Sequence, residues 1–144
     1  MTETSPVSTQ TLPDDSLHHR TATVGRAHPH VEVRIADPET GEAVFWRGET
    51  GEFCTRGYSV MQGYWNEPQK THAAIDPGGW MHTGDLAVMA DDGYCNIVGR
   101  IKDMVIRGRR EHPTREIGEF LYTHPDIEDV QAIGVPDERY GEGS

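Results

Sequence analysis

Short segments in which apolar and polar residues alternate follow one another from residue 24 onward. Val31-Glu32-Val33-Arg34-Ile35 alternates at every position, which predicts a half-buried strand. The runs Ala43-Val44-Phe45-Trp46 and Glu52-Phe53-Cys54-Thr55-Arg56 predict two further strands. The turn residues Asp37-Pro38-Glu39-Thr40-Gly41 divide the first strand from the second. The first hundred residues are therefore expected to be rich in β-structure.

A β-hairpin gives the strongest local signal. Leu86–Met89 and Tyr94–Val98 are apolar runs on either side of Ala90-Asp91-Asp92-Gly93, and Asp-Gly supplies the positive φ that hairpin turns need. A strand over 103–107 would complete a second strand pair. Residues 69–75 predict a helix of one or two turns.

Helical periodicity appears clearly only after Pro113. Ile117, Phe120 and Leu121 fall on one face of the predicted helix, and residues 130–135 predict a final strand. The expected fold class is therefore mixed β and α+β: a β-rich block followed by the opening of an α+β unit. One helix and one strand do not enclose a core, so we expect the second unit to be incomplete.

Composition and charge restrict the possible partners. Only 35% of the residues are hydrophobic and the mean hydropathy is −0.66, which is polar for a domain of 144 residues. The net charge of −11 argues against a nucleic-acid partner or an anionic membrane surface. There is no run of about 18 apolar residues to span a membrane and no export signal, so we expect a cytoplasmic protein. Cys54 and Cys95 are expected to be reduced, and the spacing of the eight histidines argues against a zinc site.

Two short segments carry candidate chemistry. His82-Thr83-Gly84-Asp85 puts a carboxylate at a glycine turn before a strand, and Gly99-Arg100-Ile101-Lys102-Asp103 puts a guanidinium at the end of the partner strand. A carboxylate that accepts from two hydroxyls, with a cation beside it, can bind a vicinal diol. Taken alone, an ordinary turn and a surface ion pair explain the same residues.

These two segments stand in order among others that resemble one family. The further segments are Met1–Pro6, which contains Thr2-Glu3; Gly51–Gly57 with Gly63-Tyr64-Trp65; and Arg115-Glu116-Ile117 with the stretch 130–141. In this order and spacing the chain resembles the adenylate-forming superfamily, most closely its medium-chain, AMP-binding acyl-CoA synthetases. The resemblance covers almost the whole chain.

The resemblance implies a fold and a division into domains. Residues 1–23 would form a loop that carries the end of a Thr-Glu nucleotide motif. Residues 24–101 would form a distorted β-barrel subdomain at the end of the large AMP-binding domain. Residues 102–144 would comprise the hinge and an incomplete C-terminal domain.

The resemblance also implies a reaction and site residues. A fatty acid, Mg-ATP and coenzyme A would give acyl-CoA, AMP and pyrophosphate through an acyl-adenylate. Thr2 would contact the α-phosphate, Glu3 would hold Mg²⁺, Asp85 and Arg100 would bind the ribose, and Lys102 would be the hinge. A disordered N-terminus is the alternative, and the preferred, interpretation of Thr2 and Glu3. A solvated charge at a strand end is the alternative for Lys102.

The chain departs from the family in ways that bear on activity. The phosphate loop, the acyl-binding region and the C-terminal catalytic lysine of the family are missing, and Arg109 stands where the family has a glycine near coenzyme A. We therefore expect a truncated or decayed fragment that is inactive by itself and binds no cofactor tightly. The alternative is a noncatalytic module that associates with a complementary synthetase fragment or another partner. A self-contained enzyme of a new type has no nucleophile–base pair or metal cluster to support it.

Three tryptophans, Trp46, Trp65 and Trp80, are expected to be core or interface aromatics.

Overall fold

A computed structural model describes residues 1–43, 47–107, 110–137 and 141–143. Of the predicted strand over 43–46, only residue 43 lies within these described residues. Trp46 and the altered position Arg109 lie outside them. The chain divides into two compact units, Met1–Ile97 and Val98–Ser144, which are described separately below. The functional boundary between residues 101 and 102 stays a prediction.

The N-terminal residues contain regular structure where only a loop was expected. A 3-10 turn over Thr2–Thr4 is followed by strand β1 (Thr9–Gln10), helix α1 (Leu17–Ala22) and strand β2 (Arg26–Ala27), and β1 pairs with β2. The Ser16 side chain begins α1 by accepting a hydrogen bond from the His19 amide at 3.2 Å. A polar, aperiodic segment is thus ordered by a cap and by a strand partner 16 or more residues away in sequence.

The main sheet of the first unit has four strands, with helix α2 (Pro68–Ala74) between its second and third. The strands are β3 (Val31–Ala36), β4 (Thr50–Gly57), β5 (Met81–Met89) and β6 (Cys95–Arg100), in the order β3-β4-β5-β6. The predicted strands over 31–35 and 52–56 and the predicted helix over 69–75 are confirmed. Asp92 and Gly93 lie in the β5–β6 turn, where the Gly93 amide donates to the Ala90 carbonyl at 2.9 Å. Among the described residues this sheet is open, so the expected barrel is not confirmed.

One face of the main sheet carries the apolar core of the first unit. The residues that form it are Ile35, Phe53, Ala87 and Cys95, with Val33, Met89 and Ile97 packed against them. They recur at every second position of their strands, because successive side chains of a strand point to opposite faces. Strand β4 is central, and five consecutive residues from Gly51 to Thr55 are buried. Both faces of β4 are therefore covered.

In its described residues, the second unit has a four-stranded sheet of its own and one helix. Its elements are β7 (Met104–Arg107), β8 (Arg110–Pro113), α3 (Thr114–Leu121), β9 (Val135–Asp137) and β10 (Gly141–Gly143), and the strand order is β8-β7-β10-β9. The expectation of one helix and one strand in this unit was therefore wrong. The predicted strand over 103–107 is confirmed as β7, which pairs with β8 and β10.

The predicted strand over 130–135 is wrong except at its last residue. Strand β9 begins at Val135 and pairs with β10, whereas residues 130–134 have no strand partner within the described residues. The Asp129 carboxylate accepts from the Val130 amide at 2.9 Å and from the Tyr122 hydroxyl at 2.5 Å, so the segment starts as a side-chain-anchored loop. An apolar run alone does not supply the neighbouring strand that β-structure needs.

Helix α3 forms where predicted, although Phe120 does not share the covered face. Ile117 and Leu121 are half-buried, whereas Phe120 is 74% exposed. Thr114, Gly118 and Tyr122, spaced by four residues, instead line a groove of the same unit. No helix of the described residues is long and apolar enough to cross a membrane.

Candidate functional site

The segment that contains Asp85 bulges out of strand β5. Glu52 pairs with Leu86 and Cys54 pairs with His82, so Phe53 alone faces the three residues Thr83–Asp85. We call these three residues the 83–85 bulge. The sequence predicted a turn before a strand, but the structure places the segment inside a nine-residue strand. A bulge redirects side chains beside a functional site without ending the strand.

Hydrogen bonds from neighbouring groups hold the backbone of the 83–85 bulge. The Thr83 hydroxyl donates to the Phe53 carbonyl at 2.7 Å and accepts from the Asp85 amide at 3.1 Å. Gly84 has a φ of +73°, a conformation that glycine adopts without strain. The half-buried Asp85 therefore sits on a backbone whose amides at Gly84 and Asp85 are hydrogen-bonded.

The Glu52 carboxylate spans the gap that the bulge opens. One oxygen, Oε1, accepts from the Gly84 amide at 2.9 Å, and the other, Oε2, lies 2.7 Å from Nδ1 of His82. The Glu52 side chain is only 8% exposed. A buried carboxylate is costly unless donors surround it, and this one has a donor on each oxygen.

A row of polar side chains crosses the sheet beside Glu52. Arg34 pairs with Cys54 and Cys54 pairs with His82, so the three residues lie side by side on β3, β4 and β5. The Arg34 guanidinium donates to the Asp76 carboxylate at 3.2 Å, and the same carboxylate oxygen lies 3.8 Å from Nε2 of His82. Trp80 packs against this row, with the Arg34 guanidinium 4.4 Å from its ring centre.

Glu52, Cys54 and His82 each present a ligand atom within 4.8 Å of the others, a grouping suited in composition to a soft metal ion. Strand register creates this group, which is why residue spacing did not suggest it. Burial raises the pKa of the Cys54 thiol to about 12, so the thiol keeps its proton near neutral pH. A metal ion would have to displace that proton and the Glu52–His82 contact. We therefore interpret the group as a hydrogen-bonded cluster that stabilises the backbone of the 83–85 bulge.

The N-terminal turn is held by residues far along the chain. The Glu3 carbonyl accepts from the Met61 amide at 2.8 Å, and the Glu3 carboxylate accepts from the Tyr64 hydroxyl at 3.2 Å. Thr4 is 1% exposed, and its hydroxyl donates to the carbonyls of Met1 and Pro6. The preferred interpretation of Thr2 and Glu3 as a disordered N-terminus was wrong, because downstream residues position the turn.

The remaining predicted site residues lie near the start of the second unit. Arg100 is the exposed last residue of β6, and Lys102 is exposed in a 3-10 turn over Ile101–Asp103. Lys102 also lines the groove of about 500 Å³ that α3 and residues 130–134 complete. These placements fit the predicted strand-end position of Arg100. The predicted roles of Arg100 and Lys102 stay predictions.

Sequence comparisons place these segments in a family. The family described as AMP-binding enzyme matches residues 1–65. The Bacillus subtilis protein YngI, whose name assigns it provisionally to the acyl-CoA synthetases, is 56% identical over 141 residues, which are 98% of this chain and 26% of that protein. The human medium-chain acyl-CoA ligase ACSF2, a mitochondrial protein, is 47% identical over 141 residues, 98% of this chain and 23% of its own length. Residues 1–65 thus match an AMP-binding family, and almost the whole chain aligns with a segment of acyl-CoA synthetases and ligases. It spans about a quarter of the length of these relatives.

Solved structures of adenylate-forming proteins share the fold of the segment. ATP-bound MatB from Rhodopseudomonas palustris matches 99% of this chain and 28% of its own, with a TM-score of 0.90 and 38% identity. The o-succinylbenzoate CoA synthetase MenE from Bacillus subtilis, in complex with its acyl-adenylate, matches the same shares with a TM-score of 0.83 and 26% identity. The family fold thus accounts for both units of the chain.

Reasoning from sequence missed Glu52 as part of the site. Glu52 was noted only as a residue of a predicted strand and of the Gly51–Gly57 segment. A charged residue flanked by Gly51 and Phe53 in a central strand was the available signal, because an unpaired charge is excluded from such a position. Its partner, the 83–85 bulge, lies 31 or more residues away and follows from strand register.

Proposed function

We propose that this chain is the ribose-binding and hinge segment of an ATP-dependent acyl-CoA synthetase that acts on fatty acids. The 83–85 bulge is the observation that supports this most strongly, because it presents Asp85 from a braced backbone within a family segment. The other supports are the family match and the ATP and acyl-adenylate complexes of structural relatives.

The proposed reaction of the whole enzyme has two steps. A fatty-acid carboxylate oxygen attacks the α-phosphorus of ATP, and the bond to the β-phosphate oxygen breaks, so that acyl-AMP and pyrophosphate form. The sulfur of coenzyme A then attacks the acyl carbon, its thiol proton is lost, and AMP leaves with the bonding electron pair. No electrons are transferred to an external acceptor in either step. Medium-chain fatty acids are the proposed substrate class, as the name of ACSF2 states for that relative.

Each proposed site residue has a task within this reaction. Asp85 would accept hydrogen bonds from the two ribose hydroxyls, and Arg100 would fix the ribose from the end of β6. Lys102 would provide the torsion about which a C-terminal domain rotates between the two steps. Thr2 would donate its hydroxyl proton to an α-phosphate oxygen. These groups bind and orient the nucleotide, and none of them transfers a proton in the steps above.

Glu3 fits a magnesium ion in chemical type. Its carboxylate is a hard oxygen ligand, and the 3-10 turn and the Tyr64 hydroxyl hold it in place. One carboxylate with waters and phosphate oxygens is a usual magnesium set in nucleotide enzymes. Bound there, Mg²⁺ would offset the negative charge of the phosphates.

The chain alone is proposed to bind nucleotide weakly and to have no turnover. Its 144 residues correspond to about a quarter of the length of its relatives. Losing preorganised electrostatic groups costs orders of magnitude in rate. Coenzyme A and fatty acid are accordingly substrates of the whole enzyme. A cytoplasmic location is part of this proposal.

Nucleotide titration followed by NMR tests the proposed function. AMP added to the ¹⁵N-labelled chain is expected to shift the amides of the 83–85 bulge with millimolar affinity. The Asp85→Ala variant is expected to lose this response, whereas Asp91→Ala, in the exposed β5–β6 turn, is expected to keep it. Equal responses of wild type and Asp85→Ala would contradict the ribose assignment. ATP–pyrophosphate exchange by the chain with octanoate would contradict its inactivity.

Association with a complementary fragment is the second candidate function. Three aromatic side chains of the 58–65 segment are exposed, namely Tyr58 at 76%, Tyr64 at 38% and Trp65 at 96%. Exposed aromatic groups favour protein contacts. Light scattering tests this: a monodisperse monomer at high concentration would contradict it, and a stable complex with a separately expressed N-terminal portion of a relative would support it.

A further inference from the structure

Glu52 is a buried carboxylate whose charge lacks an obvious structural purpose. It lies on the central strand, it is 6% exposed as a whole residue, and its neighbours along the strand are Gly51 and Phe53. Burying a charge this deeply is unfavourable, and an apolar residue would serve packing better. The interactions that Glu52 makes therefore indicate what the charge is for.

Those interactions all lie on the segment that contains Asp85. Oε1 accepts from the Gly84 amide, one residue before Asp85, and Oε2 contacts His82, where regular pairing stops. Thr83 bonds to the carbonyl of Phe53, the residue after Glu52. The two oxygens of one carboxylate thus contact the residue before the 83–85 bulge and the middle residue of the bulge.

We propose that Glu52, oriented by His82, is the positioning residue for Asp85 in the ribose-binding segment. The carboxylate substitutes for the strand partner that the Gly84 amide would otherwise have on β4. It keeps Gly84 at a positive φ and fixes the backbone direction from which Asp85 leaves the strand. This inference rests on the proposed function for its consequence in nucleotide binding, but the bracing of the bulge stands independently of it.

His82 sets the orientation of Glu52. Its ring contacts Glu52 through Nδ1, while Nε2 faces Asp76 at 3.8 Å. His82 and the Gly84 amide, two residues apart on β5, therefore fix the plane of the Glu52 carboxylate. The contact with His82 directs Oε1 to the Gly84 amide. Arg34 donates a hydrogen bond to Asp76 and so holds the carboxylate that faces Nε2 of His82.

Amide hydrogen exchange on the full 144-residue chain tests the bracing itself. Glu52→Gln keeps the shape of the side chain but replaces one oxygen by a donor, which is a poor match for the donors around it. We expect exchange at Gly84 and Asp85 to accelerate about tenfold or more, and exchange at core amides such as Ala87 to stay within twofold. Glu32→Gln, on the exposed side of β3, is the matched control and is expected to change neither. Unchanged exchange at Gly84 in Glu52→Gln would overturn the proposal.

Ribose discrimination tests the consequence for Asp85. The ratio of the dissociation constant of 2′,3′-dideoxy-AMP to that of AMP isolates the hydroxyl contacts. Glu52→Gln is expected to lower this ratio several-fold while leaving the affinity for dideoxy-AMP unchanged. A loss of affinity for both nucleotides alike would show a merely structural role and would overturn positioning. His82→Gln is expected to give a smaller loss of the same kind, and it also serves if Glu52→Gln does not fold.

The two measurements separate the possible failures. If wild type binds AMP and dideoxy-AMP equally, the proposed ribose function fails, and hydrogen exchange still decides whether Glu52 braces the bulge. If wild type discriminates and Asp85→Ala abolishes discrimination while Glu52→Gln keeps it, the positioning role fails and the proposed function stands.

Discussion

The Tyr64 hydroxyl donates a hydrogen bond to the Glu3 carboxylate at 3.2 Å, across 61 residues of sequence. Two family segments, one at the N-terminus and one after β4, therefore meet in space. The contact raises the pKa of Tyr64 through partial burial and through the adjacent negative charge. It also explains how Glu3 is positioned by residues that follow it.

Removing this hydroxyl should loosen the N-terminal turn. In Tyr64→Phe we expect the backbone of Thr2–Thr4 to become more mobile, because one of the two bonds to Glu3 is lost while the Met61 amide keeps the other. Heteronuclear NOE values for these residues should fall, with little change in Tm. Tyr58→Phe, at a ring that is 76% exposed, is the matched control. A rigid turn in Tyr64→Phe would contradict the link.

Two tryptophans of different exposure provide a test of packing. The guanidinium groups of Arg34 and Arg56 lie 4.4 and 4.6 Å from the Trp80 ring centre. Trp80→Ala should lower the free energy of unfolding by about 2 kcal/mol, less than for a fully buried aromatic ring because Trp80 is only partly covered. Trp65→Ala, at a side chain that is 96% exposed, should stay within about 0.5 kcal/mol. Urea unfolding measures both, and equal losses would contradict the different burial.

The pKa of Asp15 should depend on Tyr94. The Tyr94 hydroxyl donates to Asp15 at 2.5 Å, and this bond, followed by the one from the Leu12 amide, lowers the pKa of Asp15 below its usual 3.8. A lowered pKa adds stability above pH 3.8, and that stability is lost as pH falls through the pKa of the folded state. Carboxyl NMR titration should show the Asp15 pKa rising toward 3.8 in Tyr94→Phe and staying low in Tyr64→Phe. An unchanged value in Tyr94→Phe would rule out the hydroxyl as its main cause.

Both thiols should be unreactive in the folded chain. Burial raises the pKa of Cys54 to about 12 and that of Cys95 to about 11, from 9.0. At pH 8 the thiolate fraction of Cys54 is then about a thousandfold below that of the unfolded chain. Cys95→Ser leaves Cys54 as the one thiol, and its reaction with a disulfide reagent should be slow until urea unfolds the chain. Rapid labelling of folded Cys95→Ser would contradict the burial.

The same shifts give a pH dependence of stability. Between about pH 9 and the folded-state pKa values, about 11 for Cys95 and about 12 for Cys54, the folded chain keeps its thiol protons and the unfolded chain releases them. Stability should therefore be full below pH 9 and should decline as pH rises through this window. Cys54→Ser should show a shallower decline, measured by urea midpoints at several pH values.

Sequence predicted best those elements that local patterns determine. Alternation at Val31–Ile35 and the Asp-Gly turn before Tyr94 depend on neighbours in the chain, and both gave the correct strands. Helix α3 followed from periodicity, yet Phe120 proved exposed because the covered face depends on what packs against the helix. The run 130–135 failed for the same reason, since a strand requires a partner.

The sequence named candidate site residues, whose roles stay predictions, but it did not name the residue that supports Asp85. The family segments pointed to Asp85, but Glu52 braces it through strand register between residues 32 positions apart. Tyr64 and Glu3 are separated further still. Side-chain contacts over such distances follow from the folded sheet, and no spacing rule in the chain encodes them.

Strand β5 carries three residues where β4 carries one, an excess of two. An even excess keeps the alternation of the strand in phase, so His82 and Leu86 still point to the same face on either side of the bulge. Deleting a single residue there would turn Leu86–Met89 over and bring apolar positions to the wrong side of the sheet. Deleting two would keep Leu86–Met89 in phase, but it would also remove the Gly84 amide from Oε1 of the buried Glu52. The alternation of the strand therefore accepts length changes here only in pairs, and the residue count between His82 and Leu86 is tied to Glu52 as well as to the display of Asp85.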